Sequence, residues 1–129
     1  MFKLIVVGTD GSDTATQAVR QASGKPGGMP PEFVDMIWKY LDRGTKRAIL
    51  RRYRHADPDR LLAAGENLGK LDCPALVVWG AKDPYTPGEW GEAFAKALSH
   101  ADADIRHDAG HWPWIDDPSI IDRVLNFVS

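Results

Sequence analysis

Two polar side chains in the C-terminal half of the sequence have the types and spacing of an acid–base pair. Asp83 follows the apolar run at 75–80 by three residues, and His111 follows a second short run at 103–107. If both runs are parallel strands, the loops after them face one crevice at the carboxyl edge of the sheet. Asp83 would then orient and charge the imidazole, so that His111 serves as a general base.

A purely structural interpretation fits the same residues. Asp83 precedes Pro84 and could cap a turn, because an aspartate side chain readily accepts hydrogen bonds from the backbone that follows it. His111 could be one polar residue of an aromatic loop, in which Trp112 and Trp114 are typical of a hydrophobic core or of the wall of an apolar pocket. Spacing alone leaves both interpretations open.

Other candidate ligands and thiols predict little chemistry. His107, Asp108 and His111 share one short segment that supplies no fourth ligand, so we expect no metal site. Cys73 is the one cysteine, which excludes an intramolecular disulfide, and we expect a buried, inert thiol there. No cofactor is expected.

Alternating strands and helices predict an α/β fold in a single domain of 129 residues. Apolar runs predict three strands, at 4–8, 75–80 and 103–107. Helical periodicity predicts helices at 14–22, 32–41, 45–54, from Asp57-Pro58 onward, 89–99 and 118–128. We expect a small three-layer parallel sheet with helices on both faces, and strand 4–8 beside strand 75–80.

From about residue 31 to residue 129, the sequence resembles the C-terminal part of the α/β-hydrolase family. The segment CPALVVWGAKDPYTP resembles the strand and loop that carry the family's catalytic acid. The segment AGHWPWIDDPSIIDRVLNFV resembles the family's histidine loop and last helix, and residues 32–70 resemble its cap helices. The resemblance implies that Asp83 is the acid and His111 the base. The family's G-x-S-x-G nucleophile motif and its oxyanion-hole loop are absent from the sequence, so we expect an incomplete hydrolase fold.

The first 22 residues resemble a different family. MFKLIVVGTDGSDTATQAVRQA is similar to the opening strand and helix of universal stress proteins, which implies that Asp10 would hold the adenine or ribose of ATP. The glycine motif with which that family binds phosphate is absent. A Gly/Pro junction at 23–31 would join the two parts, so we expect a chimera, engineered rather than natural.

Three functions follow from these resemblances. Our first expectation is a non-catalytic scaffold in which Asp83 and His111 are inherited remnants. The alternative is a weak hydrolase of esters, halides or epoxides, with Asp10 of VGTDGS standing as nucleophile beside His111 and Asp83. Ser12 then replaces the last glycine of the family's nucleophile turn. The third is an adenine-nucleotide-binding module built on Asp10.

Charge and hydropathy limit the partners. The net charge of −2 gives no reason to expect nucleic acid, and no apolar run approaches the ~20 residues that span a membrane. We therefore expect a cytoplasmic protein that binds neither. The predicted helix at 45–54 and its flank carry a cluster of cations that we expect to be a solvated face: Arg43, Lys46, Arg47, Arg51, Arg52 and Arg54. Unpaired sheet edges and exposed apolar helix faces predict a homo-oligomer.

Overall fold

A computed structural model describes residues 13–129, with side chains from residue 17 onward. The predicted strand at 4–8 and the candidate residue Asp10 lie outside this part of the chain. The α-helices are α1 (Asp13–Gln21), α2 (Pro31–Tyr40), α3 (Arg43–Arg54), α4 (Pro58–Gly65), α5 (Gly88–Ala97), α6 (Pro113–Asp116) and α7 (Ser119–Val128), a short 3₁₀ helix spans Leu68–Lys70, and the strands are β1 (Ala75–Gly80) and β2 (Ala101–Arg106). Among the described residues, no helix is long and apolar enough to cross a bilayer.

The sheet confirms the predicted α/β class. Strands β1 and β2 pair in parallel, from Ala75 opposite Ala101 to Gly80 opposite Arg106. Strand β1 has the bounds that its apolar run predicts, and β2 begins two residues before the predicted strand. These are the two strands of the sheet within residues 13–129.

Helices cover both faces of the sheet. Side chains alternate between the faces of a strand, so Asp102 and Ile105 of β2 point in opposite directions. Helix α5 lies on the face of Trp79 and Ile105, where a Cβ added to Gly91 would stand 2.6 Å from the Trp79 Cβ. On the other face, Arg123 of α7 pairs with Asp102. The helices therefore form a layer on each side, as predicted.

The main buried cluster lies away from the sheet, between α1, α2 and the loop after β2. Its members are Val19, Ala22, Met29, Val34 and Trp112. Phe33 of α2 packs edge-on against the ring of Trp112, with 5.3 Å between ring centroids. Because Trp112 directly follows His111, burial of this cluster also positions the histidine loop.

The segment after α1 touches the histidine loop backbone to backbone. A Cβ added to Gly24 would lie 2.5 Å from the carbonyl oxygen of Asp108 and 2.7 Å from the amide nitrogen of Gly110. Such a close approach leaves no room for a side chain, and it accounts for glycine at this position. The first part of the Gly/Pro segment is thus packed against the loop that carries His111.

Helices α3 and α4 begin at aspartate caps. The Asp42 carboxylate accepts from the Thr45 amide at 2.7 Å, so α3 starts two residues before the prediction. Asp57 caps α4 as predicted, accepting from the Asp59 amide at 3.1 Å. Neither helix contains a buried residue, and the aromatic ring of Tyr53 is exposed.

The environment of Cys73 corrects a prediction. The sequence predicts a buried thiol, but Cys73 is exposed. It precedes the first residue of β1 by two positions and lies outside the strand, so sheet formation does not cover it.

Candidate active site

Asp83 and His111 meet beyond the carboxyl ends of the two strands. Asp83 lies in the loop after β1 and His111 in the loop after β2, with the His111 Nδ1 atom 2.7 Å from the Asp83 Oδ2 atom. The side chain of His111 is 7% exposed and that of Asp83 is 5% exposed, so the pair is shielded from bulk water. The structure thereby brings together two of the three site residues that the sequence predicts, and Asp10 lies outside the described residues.

Asp83 also caps the turn that follows it, as the purely structural interpretation of the sequence predicts. Its Oδ1 atom accepts hydrogen bonds from the backbone amides of Tyr85 at 2.8 Å and Thr86 at 3.1 Å. Its Oδ2 atom accepts from the Thr86 hydroxyl as well as bonding the imidazole of His111. One oxygen therefore caps the turn and the other bonds the imidazole, so the turn-capping role does not exclude the pairing with His111.

This hydrogen-bonding environment keeps Asp83 ionised. Burial favours the neutral acid, but the hydrogen bonds from Thr86, Tyr85 and His111 outweigh burial and hold the pKa of Asp83 below its usual value. An ionised carboxylate has no proton to donate, so the proton in the bond to His111 belongs to Nδ1. A neutral imidazole in this tautomer carries its free lone pair on Nε2.

Two aromatic rings enclose the imidazole. The rings of Tyr85 and Trp112 both stand edge-on to His111, with centroids 5.4 and 5.2 Å from its own. The Tyr85 hydroxyl donates to the Ala18 carbonyl at 2.8 Å, and burial together with the charge of Asp83 raises the pKa of Tyr85. The phenol thus stays protonated at neutral pH. Among the described residues no hydrogen bond occupies Nε2 of His111, which leaves this atom for proton transfer.

A buried carboxylate that sequence analysis missed supports the histidine loop. Asp116 is 6% exposed, and its Oδ2 atom accepts from the amides of Gly24 and Gly110, each at 2.8 Å. Its Oδ1 atom accepts from the Ser23 hydroxyl. Asp116 is followed directly by Asp117, and the sequence alone does not show which of these two acids is buried. Asp116 ties the residue before His111 to Ser23 and Gly24, which lie more than 90 positions before Asp116 in the chain.

The other side chains of the histidine loop that the sequence singles out differ in their environments. Trp112 is buried and Trp114 is 44% exposed, so only the first belongs to the core. His107 is exposed, and Asp108 pairs with Lys82 at 2.7 Å. Within residues 13–129, no group of three or more His, Cys, Asp or Glu side chains could hold a metal ion.

A cavity of about 670 Å³ lies behind the histidine loop, and its lining includes Lys25, Arg106 and Asp116. Neither Asp83 nor His111 contributes to its wall. The hydrogen-bonded pair and the cavity are therefore separate features.

Comparison with known proteins defines the family. The family model of TAP-like proteins, an α/β-hydrolase family, matches residues 54–128. The chain belongs to this family. The matched segment contains both Asp83 and His111.

Curated relatives are hydrolases. The chain is 32% identical over 75 residues to a 2-hydroxy-6-oxononadienedioate/2-hydroxy-6-oxononatrienedioate hydrolase of Klebsiella pneumoniae, and 30% identical over 74 residues to one of Dechloromonas aromatica. Each match covers 57% of this chain and 26% of the relative. The matches thus span about a quarter of the length of these enzymes.

Solved structures support the fold. A protein of Acinetobacter baumannii AYE, described provisionally as a lipase, superposes with a TM-score of 0.68 at 18% identity, over 91% of this chain and 41% of its own. An N-acyl homoserine lactone degrading enzyme superposes with a TM-score of 0.65 at 20% identity, over 90% of this chain and 47% of its own. The fold is therefore that of part of an α/β-hydrolase.

These findings bear on the predicted chimera. They support the hydrolase resemblance of the C-terminal part, and nothing in them supports a universal stress-protein segment or an engineered origin.

Proposed function

We propose that this chain carries the acid–base machinery of an α/β-hydrolase that cleaves ester-like acyl bonds. The observation that carries the proposal is the buried hydrogen bond between Asp83 Oδ2 and His111 Nδ1, which leaves Nε2 without a described partner. Membership of an α/β-hydrolase family and likeness to hydrolases support it over a non-catalytic scaffold.

His111 acts as the general base in this proposal. Nε2 accepts a proton from a water molecule whose oxygen forms a bond to the acyl carbon. The bond from that carbon to the leaving alcohol then breaks, and the alcohol departs with the proton from Nε2. Asp83 stays ionised throughout and stabilises the imidazolium that forms between the two proton transfers.

For halide substrates we propose Asp10 as the nucleophile. Its carboxylate oxygen would form a bond to the substrate carbon while the halide leaves with the bonding electrons. Water that has lost a proton to His111 Nε2 would then attack the carbonyl carbon of the Asp10 ester. The bond from that carbon to the ester oxygen breaks, and the alcohol leaves with the proton from Nε2. Asp10, left as a carboxylic acid, returns to the carboxylate by releasing its proton to solvent. The placement of Asp10 rests on the sequence motif VGTDGS, since this residue lies outside the described part of the chain.

The relatives suggest where to look for a natural substrate. The curated relatives act on oxo-dienedioates and oxo-trienedioates, and one structural neighbour degrades N-acyl homoserine lactones. We propose that the substrate has a carbonyl carbon open to attack by activated water, the feature these compounds share.

The test is hydrolysis of p-nitrophenyl acetate by the wild type and by His111→Gln. We expect the substitution to lower kcat/KM by about 100-fold, within the usual range for loss of a general base. His107→Gln is the matched control, because His107 is an exposed imidazole of the same region that takes no part in the pair. Its rate should equal that of the wild type.

Two further variants distinguish the roles. Asp83→Asn should reduce the rate as His111→Gln does, because the amide donates to Nδ1 and favours the wrong tautomer. Asp10→Asn should leave p-nitrophenyl acetate hydrolysis unchanged and abolish dehalogenation of a haloalkane. Equal rates in the wild type, His111→Gln and buffered imidazole would instead support a non-catalytic scaffold.

A further inference from the structure

The Asp83 carboxylate is saturated with hydrogen bonds. Two backbone amides bind Oδ1, and the Thr86 hydroxyl and His111 Nδ1 share Oδ2. Together they fill the approximately four acceptor positions of a carboxylate. The Asp83 side chain is 5% exposed, so water has little access to take the place of a lost donor.

Thr86 is held in place independently of its side chain. Its amide donates to Asp83 Oδ1, and its carbonyl accepts from the Trp79 Nε1 atom at 2.9 Å. The residue is 8% exposed. The backbone on both sides of the hydroxyl is thus anchored, and the hydroxyl has one proton to give, which goes to Oδ2.

We propose that Thr86 is a positioning residue of this site, whose hydroxyl holds the Asp83 carboxylate ionised and keeps Oδ2 turned toward the imidazole of His111. The two backbone amides bind only Oδ1 and leave the carboxylate free to tilt about that oxygen. The hydroxyl is the second contact on Oδ2 and removes this freedom. A charge-assisted hydrogen bond of this kind also favours the anion over the neutral acid.

The role of Thr86 in catalysis rests on the proposed function, but its role in holding Asp83 can be tested without a substrate. The titration of the Asp83 carboxyl carbon is followed by ¹³C NMR in protein labelled at aspartate Cγ, and Asp83→Asn identifies the resonance by its loss. In Thr86→Val, which keeps the shape and removes the hydroxyl, we expect the pKa of Asp83 to rise toward its usual value. Thr86→Ser, which restores a hydroxyl, should return it to the wild-type titration.

Trp79→Phe is the matched control for loop stability. It removes the hydrogen bond to the Thr86 carbonyl and leaves the hydroxyl in place. We expect its Asp83 titration to match the wild type. If Trp79→Phe and Thr86→Val shift the titration equally, or if folded Thr86→Val titrates like the wild type, the hydroxyl has no positioning role and the proposal is wrong. Should Thr86→Val not fold, Thr86→Ala compared with Thr86→Ser decides the same question.

Activity forms a separate arm of the experiment. If the wild type hydrolyses p-nitrophenyl acetate through His111, Thr86→Val should lower kcat with little change in KM, and Thr86→Ser should restore kcat. If the wild type shows no hydrolysis, the proposed function fails while the titration still decides the role of Thr86.

Discussion

The amide of His111 donates a hydrogen bond of 2.7 Å to the carbonyl oxygen of Ala22, at the end of α1. This bond joins the proposed base to a segment 89 positions earlier in the chain, so α1 is part of the support of the site. Ala22 is fully buried and belongs to the same cluster as Trp112. Burial of that cluster therefore fixes the backbone on which the imidazole stands.

The close approach of backbones beneath His111 predicts that Gly110→Ala is destabilising. A Cβ at Gly110 would lie 2.5 Å from the Gly24 amide nitrogen and 2.7 Å from the Ser23 carbonyl carbon. Overpacking of this kind costs about 1–3 kcal/mol, and we expect a lower Tm in a thermal melt followed by circular dichroism. The control is Gly65→Ala, where no atom lies within 4 Å and the Tm should not fall. An unchanged Tm in Gly110→Ala would show that the two segments separate at little cost.

The buried carboxylate of Asp116 predicts a second loss of stability. Asp116→Ala removes the acceptor of the Gly24 and Gly110 amides and leaves both without their partner. We expect the free energy of unfolding in urea to fall by at least about 2 kcal/mol. Asp108→Asn, at an exposed carboxylate paired with Lys82, should unfold like the wild type. Equal midpoints for the two variants would contradict a supporting role for Asp116.

The lowered pKa of Asp83 predicts a pH dependence of stability. Its pKa in the folded chain lies below that in the unfolded chain, so the unfolded state binds the proton more tightly. The resulting stabilisation is present above the unfolded pKa, near pH 4, and is lost as the pH falls through the folded pKa. Urea titrations at a series of pH values from about 6 to 3 should show this acid loss in the wild type. In Asp83→Asn this contribution should be absent, and an identical acid slope in both proteins would refute the assignment.

We propose that a second copy of the chain covers α3 and α4. Neither helix contains a buried residue, and Leu61 and Leu62 of α4 are 63% and 70% exposed. Helix α3 contains six cations and no acid, whereas the whole chain has a net charge of −2, so the remainder carries −8. The basic helix α3 of one copy is thus attracted to a second copy, whose residues outside α3 carry the opposite net charge.

Light scattering coupled to size exclusion tests this association. We expect a mass above 14.3 kDa that falls toward the monomer in high salt and in a Leu61→Lys, Leu62→Lys double variant. Val128→Lys, at a residue 69% exposed outside the two helices, should leave the mass unchanged. A wild-type mass of one chain at all protein concentrations and low salt would rule out the dimer.

Local patterns predicted β1 and the start of α4, and they favoured a meeting of Asp83 with His111. Asp57-Pro58 marks the start of α4 because the side chain caps the helix and proline suits its first turn. The apolar run at 75–80 predicts β1 within its exact bounds in the structure. Both site residues follow parallel strands by one short loop, and the rule that such loops share an edge favoured their meeting, whereas the spacing alone left a purely structural interpretation open.

What the sequence by itself determined is therefore local: the α/β class, the helix caps, the strand β1 and the two loops that carry Asp83 and His111. Tertiary structure alone decided which of Asp116 and Asp117 is buried, that Gly24 packs on Gly110, and that Cys73 is exposed. The physical reason is the distance along the chain over which the deciding contacts act. Periodicity and capping depend on neighbours within a few residues, whereas each of these outcomes depends on which distant segments cover a position, and the Asp116 bonds join residues more than 90 positions apart.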